Sequence, residues 1–442
     1  MRHPRALSAC AATLALAVAA AIAAGAGAAG KPARAWTRVS GPGRSGVQLG
    51  LARTPDGVLH VIWNRGNPGP TTIYDTRFAA GGAAMGTTTV ASNWGGAEGL
   101  ALLVMPDKTL RLFATGNPVN GSAVGGVNTL TASASGTGWT LQRGAVWGGA
   151  VGEASGLIGA TLTKDGQPVT AWRGFAAEGV PPSSVPQSPY IPFNLATRLA
   201  TDAGSGAVVL EGIDGAGKGG VFVRQILPSA GPAVVLPLGT YQNDWIAGLS
   251  SRIGAPGVYV AYADAKAAHL YRYGGGSRTI ARGPFTSAAL CAGPEGRLWL
   301  AWGDARDGLF VTRSSKAVGG LEPVQKLKVP SSQGLAFMQC EGSGGPLDLF
   351  ADAGAGGTGF WHTHVLAHLS LSARVVRAKS GTKATISVRD AGDSVAGVAV
   401  TVGGHRLTTN AAGQASFPVH RGAYSARATA SGYAAATLTF HV

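Results

Sequence analysis

Tryptophans beside carboxylates are the residues of this 442-residue chain best suited to binding a sugar. Three stretches have this pattern: Trp94 with Glu98, Trp147 with Glu153, and Asp244 with Trp245. An indole ring can stack on the apolar face of a sugar, and a carboxylate accepts hydrogen bonds from its hydroxyls. The alternative is that each tryptophan packs in a core and each carboxylate caps local backbone amides.

Four aspartates occupy a second constant position, where a strand-like segment ends in successive repeats of the sequence: Asp214, Asp264, Asp304 and Asp352. Earlier repeats have Asn64 and Arg173 at this position. An arc of carboxylates on one face could bind Ca²⁺, or grip a polyhydroxylated or cationic ligand. Aspartate also starts tight turns, so a purely local role stays open.

Catalytic and metal-binding motifs are few. The sequence has no Gly-x-Ser-x-Gly, no phosphate loop, no His-Glu-x-x-His and no Cys-x-x-Cys. His362 and His364 share one face of a predicted strand, but zinc usually needs at least three ligands, so we predict no metal centre and no cofactor beyond the Ca²⁺ alternative. Glu98, Glu153 and Asp244 are the acids from which a glycoside hydrolase or polysaccharide lyase would be assembled.

An internal repeat must position these residues. A strand, a tight turn and a second strand first occur over Leu51–Trp63, and the pattern returns at intervals of about 48 residues until the turn at Gly344. Seven such hairpins predict an all-β fold with a seven-bladed β-propeller over residues 36–366; six blades and an extra hairpin are the alternative. The segment 35–39 could supply the fourth strand of the last blade and close the ring.

Two of the three cysteines support this register. Cys291 and Cys340 occupy equivalent positions on the first strands of neighbouring repeats, about five residues before the turn glycine. We predict a disulfide between them, and two free buried thiols are the alternative.

The N-terminus has the pattern of a secretory signal peptide over residues 1–28. Arg2 and Arg5 precede an apolar run and two Ala-x-Ala cleavage sites, and no second stretch is long enough to span a bilayer. We therefore expect a protein that is secreted, or held non-covalently at the cell surface; an uncleaved membrane anchor is the alternative.

Charge is high but scattered. The formal net charge is +15, yet the basic residues stand singly and are not interleaved with aromatics. This argues against nucleic-acid binding and allows attraction to anionic surfaces. We expect a monomer.

Two family resemblances follow from these segments. The stretch LARTPDGVLHVIW, Leu51–Trp63, resembles sialidase-like, BNR-type propellers, although their Asp-box is absent. The run TTNAAGQASF, Thr408–Phe417, with Gly422–Tyr424 and Ser431–Tyr433, resembles carboxypeptidase-regulatory-like domains. The second resemblance implies a transthyretin-like, Ig-like β-sandwich over residues 368–442, serving stability or adhesion and not peptidase activity. Its eight basic residues would favour anionic envelope polymers.

Together these features favour a secreted, non-catalytic binding protein that presents one propeller face to a glycan or an envelope polymer. A carbohydrate-active enzyme, sialidase-like glycosidase or lyase, is one alternative. A cell-surface protein-interaction module is the other.

Overall fold

The computed structural model describes residues 36–40, 48–65, 70–97, 99–116, 126–142, 158–172, 175–178, 198–213, 220–237, 247–264, 266–304, 308–330, 335–353, 359–379 and 381–442. Within these ranges the chain forms β-strands and one 3-10 turn, Pro294–Gly296, and has no α-helix. The all-β prediction is confirmed. In the same ranges, no helix has the length and apolar character that crossing a bilayer requires.

Seven antiparallel sheets follow one another along residues 37–365. After β1 (Thr37–Arg38), their strands are β2 (Gly50–Arg53), β3 (Leu59–Arg65), β4 (Pro70–Phe78) and β5 (Ala84–Gly95) in sheet 1; β6 (Leu100–Val104), β7 (Leu110–Gly116), β8 (Gly126–Ala132) and β9 (Thr140–Leu141) in sheet 2; β10 (Ile158–Leu162), β11 (Pro168–Trp172) and β12 (Phe175–Glu178) in sheet 3; β13 (Arg198–Thr201), β14 (Val208–Ile213), β15 (Gly220–Leu227) and β16 (Val234–Pro237) in sheet 4; β17 (Ala247–Ser251), β18 (Val258–Ala263), β19 (Ala267–Arg272) and β20 (Ser277–Arg282) in sheet 5; β21 (Ser287–Ala292), β22 (Leu298–Asp304), β23 (Gly308–Arg313) and β24 (Gln325–Leu327) in sheet 6; and β25 (Leu335–Glu341), β26 (Leu347–Ala353) and β27 (Phe360–Val365) in sheet 7.

The predicted hairpins form the first two strands of each sheet. Their tight turns need a residue with a left-handed backbone, which Gly57 supplies in sheet 1 with φ of 87°. In sheet 2 the equivalent residue is Lys108, with φ of 70°. The Thr54 hydroxyl also donates a hydrogen bond to the Asp56 carboxylate at 2.6 Å, and this side-chain contact stabilises the turn.

The sheets pack side by side in a ring. A separate cluster of buried apolar side chains fills each of the seven junctions between consecutive sheets, including the junction of sheet 7 with sheet 1. The first strands adjoin in the same cyclic order, β2, β6, β10, β13, β17, β21 and β25. Each sheet thus buries both faces against its neighbours, which is the packing of a β-propeller.

The N-terminal strand closes the ring, as the sequence predicts. β1 adds to the outer edge of sheet 7 by pairing Thr37 with His362 and Arg38 with Trp361. Sheet 7 therefore combines one strand from the start of the domain with three from its end. This arrangement covers an edge that would otherwise be open.

Buried charges join sheet 7 to sheet 1. Arg53 donates to Glu341 at 2.7 Å and also to Asp348, whose second oxygen accepts from His362 Nε2 at 2.8 Å and His364 Nδ1 at 2.9 Å. Burial alone would raise the pKa of Asp348, but the hydrogen bonds and charges of the two histidines outweigh it and hold the pKa well below the ordinary value. Asp348 therefore stays ionised at the seam.

The C-terminal strands form two further sheets around a core of their own. After β28 (Ala367–His368), these strands are β29 (Ser370–Ala378), β30 (Gly381–Asp390), β31 (Asp393–Ser394), β32 (Ala399–Val402), β33 (His405–Thr408), β34 (Gln414–Pro418), β35 (Ala423–Thr429), β36 (Tyr433–Ala434) and β37 (Ala436–His441). Sandwich sheet A contains β29, β30, β31 and β34, and sandwich sheet B has the order β33-β32-β35-β37. The short strands β28 and β36 pair in parallel as a separate two-stranded sheet. Both contribute to one buried cluster that includes Ile386, Val400 and Phe417. The C-terminal unit is thus a two-sheet sandwich.

A buried ionic cluster fixes the sandwich to sheet 6. Arg313 and Arg297 both contact the carboxylate of Asp390, Arg297 at 3.4 Å, and Arg297 also pairs with Asp393 at 2.9 Å. Burial and the neighbouring Asp390 raise the pKa of Glu322 to about 8, against the opposing charge of Arg313. Both acidic residues of the sandwich are therefore used in its contact with the propeller.

Candidate functional site

One end of the propeller holds Asp264, Asp304 and Asp352, three described residues of the predicted site. The first strand of each sheet begins at this end, and the antiparallel second strand ends there. We call this end the mouth face. The tight hairpin turns lie at the opposite end.

A central cavity of about 210 Å³ lies on the axis of the ring and is lined by the first strands of all seven sheets. Most of the residues that line it are aliphatic or glycine, and Gln48, Arg198 and Gln339 add polar side chains. The Gln48 amide bonds both main-chain groups of Ile158, at 2.7 and 3.0 Å, and thereby links sheets 1 and 3. Gln339 likewise bonds the main chain of Leu49 at 2.7 and 3.2 Å. Both amides are therefore structural.

Arg198 differs from these amides, because most of its donors have no assigned acceptor. It opens β13, lines the cavity, and donates one hydrogen bond to the Ala247 carbonyl at 2.7 Å. Its guanidinium carbon lies 5.8 Å from the centre of the Phe337 ring. A guanidinium has five N–H donors, and no other acceptor for them is found among the described residues. Arg198 can therefore donate to a ligand at the mouth of the cavity.

Glu211 stands directly opposite Arg198 in the β13–β14 ladder. Its side chain is 0% exposed, and neither carboxylate oxygen has a hydrogen-bond partner within the described ranges. Burial raises the pKa of Glu211 to about 7, and the nearby Arg198 charge opposes this rise. An ionised carboxylate without donors is costly inside a protein, so this pair is not explained by stability alone.

The pair lies where sheet 4 meets sheet 5. Val209, two residues before Glu211 and on the same face of β14, packs in the cluster shared with sheet 5. The hydrogen bond from Arg198 to Ala247 reaches the first residue of sheet 5. The predicted site residues Asp244 and Trp245 come just before Ala247 in the chain, outside the described residues.

The predicted Trp94 site needs correction. Trp94 is 1% exposed, packs in the core between sheets 1 and 2, and donates its indole N–H to the Thr115 carbonyl at 2.8 Å. Its ring faces are covered by protein, so they cannot stack on a sugar. The core interpretation is correct for this residue because its apolar surface fills the junction.

Three aspartates of the predicted arc are described, Asp264, Asp304 and Asp352; they lie at the ends of the second strands of separate sheets and differ in their surroundings. Asp264 accepts from the amides of Lys266 and Ala267, both at 2.7 Å, and from His269 at 3.0 Å. Burial favours a higher pKa for Asp264, but these hydrogen bonds lower it. Asp264 therefore stabilises the turn that follows its strand, and both of its carboxylate oxygens already accept hydrogen bonds.

Asp304 and Asp352 are more deeply placed, at 7% and 6% exposure. Burial raises the pKa of Asp352 to about 6, opposed by a hydrogen bond from the Gly359 amide, and its Oδ1 has no partner among the described residues. The remaining predicted residues lie outside the described ranges: Glu98, Trp147, Glu153, Arg173, Asp214, Asp244 and Trp245.

His362 and His364 do share a strand and a set of contacts. Both bond Oδ1 of Asp348, in the seam described above, while the Arg53 guanidinium contacts Oδ2 of the same carboxylate. Among the described residues, no group of three or more His, Cys, Asp or Glu side chains is arranged to hold a metal ion.

The predicted disulfide is confirmed. Cys291 on β21 and Cys340 on β25 are bonded, with their Cα atoms 5.7 Å apart. Cys340 also lines the central cavity. The bond therefore joins sheets 6 and 7 beside the axis.

Sequence reasoning missed Arg198 and Glu211. The signal for Glu211 is a lone acidic residue inside the otherwise apolar strand Val208–Ile213. A charge at such a position is either paired or functional. Arg198 has no comparable signal in the sequence, because only the β13–β14 register shows that it lies opposite Glu211.

Comparisons with known proteins found similar structures but no family. No protein-family model matches the sequence, and no curated protein matches it. The two family resemblances therefore remain predictions.

Among solved structures, the chain is similar to the BP39L lectin from Burkholderia pseudomallei, with a TM-score of 0.53 and 14% identity over 72% of this chain and 99% of that chain. AofleA from Arthrobotrys oligospora has a TM-score of 0.45 at 12% identity, over 67% of this chain and 90% of that one. A six-bladed β-propeller, the fungal lectin from Aleuria aurantia, has a TM-score of 0.36 at 13% identity, over 73% and 95%. The likeness to BP39L shows a shared fold.

Proposed function

We propose that this protein is a secreted, non-catalytic glycan-binding protein whose site lies on the mouth face, between sheets 4 and 5. The observation that carries the proposal is the Arg198–Glu211 pair, which combines a cavity-lining donor with a carboxylate that has no donor of its own. The lectin named in the BP39L comparison is a carbohydrate-binding protein with a similar fold, which fits this function.

A neutral sugar suits this pair better than a charged ligand. A hydroxyl group accepts a hydrogen bond from a guanidinium and donates one to a carboxylate. Because Glu211 is 0% exposed, we propose that its carboxylate becomes accessible when the ligand binds, so that neighbouring hydroxyls satisfy Arg198 and Glu211 together. An anion would be repelled by ionised Glu211, and a cation by Arg198. The ligand we propose is therefore an uncharged glycan with adjacent hydroxyls.

The finer architecture is part of the same proposal. We infer seven blades, supported by the seven buried junctions and by a cavity lined from seven first strands. The signal-peptide pattern of residues 1–28 supports secretion, and the motifs in 408–433 support a carboxypeptidase-regulatory-like sandwich. In this scheme the propeller recognises the glycan and the sandwich is an accessory module.

A glycan array followed by titration calorimetry tests the function. We expect the wild-type protein to bind neutral glycans without releasing reducing sugar. Glu211→Gln and Arg198→Met should each weaken binding by about tenfold or more, because each removes a charge-assisted hydrogen bond. The matched control is Glu295→Gln, on the exposed 3-10 turn at the opposite end of sheet 6, which should bind like wild type.

Two outcomes would contradict the proposal at different levels. If wild-type protein binds no glycan on the array, the function is wrong. If it binds but both pair variants bind equally well, the function stands and the site is elsewhere. Reducing sugar released by wild type and lost in Glu211→Gln would instead establish the enzyme alternative, since a carboxyl with a pKa of about 7 can serve as a general acid.

A further inference from the structure

The outer face of sandwich sheet B is an unusual surface. Most of its outward side chains carry hydroxyl or guanidinium groups and are exposed, namely Thr401, Arg406, Thr408, Ser425, Arg427, Thr429, Thr437 and Thr439. Ala399, Ala423 and His441 complete the outward set. We call this the hydroxyl–arginine face. Strand register places Arg406, Thr401, Arg427 and Thr437 in one row across the sheet.

The row sets two charges at a defined separation. Arg406 and Arg427 flank Thr401 on adjacent strands. Strands in a sheet are about 4.8 Å apart, so the backbones of the two arginines are about 10 Å apart. A hydroxyl lies between the charges and another lies beyond Arg427, so donors and acceptors alternate along the row.

No acidic side chain balances these arginines. Residues 368–442 contain eight basic residues and two acidic ones, Asp390 and Asp393. Both acids are turned toward Arg297 in the contact with the propeller. Within the described part of the chain, none of the eight basic side chains makes an ion pair. Attachment of the sandwich therefore leaves its solvent-facing surfaces purely cationic.

The chemistry of the face selects among partners. Its outward positions have no large apolar side chain, whereas protein interfaces have an apolar centre. They have no phenylalanine, tyrosine or tryptophan on which bases could stack, and their one imidazole, His441, lies at the end of its strand. Duplex DNA carries one charge per about 1.7 Å of axis, a much denser array than two arginines about 10 Å apart. A carboxylate-bearing sugar chain offers both acids for the arginines and hydroxyls for the threonines.

We propose that the hydroxyl–arginine face binds acidic polysaccharide, with Arg406 and Arg427 pairing carboxylates on one sugar chain. This site is on a different domain from the Arg198–Glu211 pair and takes a ligand of different charge. It does not depend on glycan binding by the propeller.

The test compares two double variants of the full-length protein that lose the same charge from opposite outer faces. Arg406→Ser/Arg427→Ser alters the hydroxyl–arginine face, and Arg374→Ser/Lys383→Ser alters exposed positions on the outer face of sandwich sheet A. Binding to polygalacturonate is measured by calorimetry at low salt, with dextran as the neutral polysaccharide. Thermal melting verifies that both variants are folded.

We expect wild type to bind polygalacturonate and not dextran through this face, and Arg406→Ser/Arg427→Ser to weaken binding at least tenfold. The sheet A variant should retain affinity within about threefold, and Glu211→Gln should bind polygalacturonate like wild type. Equal weakening of both double variants would overturn the proposal, because binding would then follow net charge alone. Tighter binding to a 20-base-pair DNA duplex than to polygalacturonate would also overturn it, as would the absence of polygalacturonate binding by wild type.

Discussion

The environment of Glu211 makes a quantitative prediction about stability and pH. The folded protein keeps a proton on Glu211 up to a pKa of about 7, whereas the unfolded chain releases it near the ordinary value of 4.5. Between these values the folded state binds more protons than the unfolded state, so stability from this group falls as pH rises. Glutamine resembles the protonated acid and removes this dependence.

The size of the effect follows from the two pKa values. One pKa unit corresponds to about 1.4 kcal/mol, and the proton-linkage relation gives a loss of about 2.5 kcal/mol for wild type between pH 5 and pH 8. We therefore expect the free energy of unfolding of Glu211→Gln, relative to that of wild type, to rise by about 2.5 kcal/mol from pH 5 to pH 8. Titrating groups such as Glu322 and Asp352 are present in both proteins and cancel in the difference.

Urea unfolding followed by tryptophan fluorescence, at pH 5, 6, 7 and 8, measures this difference. Glu295→Gln is the control, because it makes the same substitution at an exposed carboxylate. If the difference between Glu211→Gln and wild type stays constant within about 1 kcal/mol, the carboxylate is not held in the buried, donor-free environment described above. In that case the main observation behind the proposed binding site at Arg198 and Glu211 would be wrong.

Further expectations concern the ligand and the closure of the ring. Affinity for a neutral glycan should rise by up to about two orders of magnitude from pH 5 to pH 8 in calorimetry, since only ionised Glu211 accepts freely; a flat profile would contradict this role. Asp348→Ala should lower the free energy of unfolding by about 3–5 kcal/mol in urea at pH 7, because Arg53 loses a buried partner. This loss should shrink as the pH falls through the depressed pKa of Asp348. A loss below about 1 kcal/mol would show that the Asp348 contacts do not stabilise the junction of sheets 7 and 1. Cys291→Ser/Cys340→Ser should lose about 4 kcal/mol for a loop with a sequence separation of 49, and equal melting of oxidised and reduced wild type would contradict this.

Local turn chemistry and repeat spacing predicted most of the architecture. Asp-Gly turns need a left-handed residue, and the regular spacing of these turns follows from sheets of similar size, so Gly57 and its counterparts identified the hairpins. The same register placed Cys291 and Cys340 on neighbouring first strands, and the closing strand β1 was predicted within two residues. These features depend on contacts that repeat, and repetition is visible in one sequence.

The candidate site depends on contacts that occur once. In the sequence, Trp94 and its neighbours have the composition of a sugar-binding site, yet the Trp94 side chain packs in the core between sheets 1 and 2. Composition does not tell which face of a strand is covered by the next sheet. Arg198 and Glu211 are 13 positions apart and belong to no motif, so only the β13–β14 register brings them together.

The buried charges of the propeller separate structural from functional roles. Asp348 is buried at the seam, but Arg53, His362 and His364 supply its donors, so its charge is compensated where two ends of the domain must meet. Glu211 is equally buried and has no such donors. Replacing a fully partnered carboxylate can only weaken the fold, whereas replacing Glu211 should strengthen it above pH 7. If Glu211→Gln is more stable than wild type above pH 7, stability does not account for Glu211, and its place opposite the cavity-lining Arg198 favours the proposed role in ligand binding.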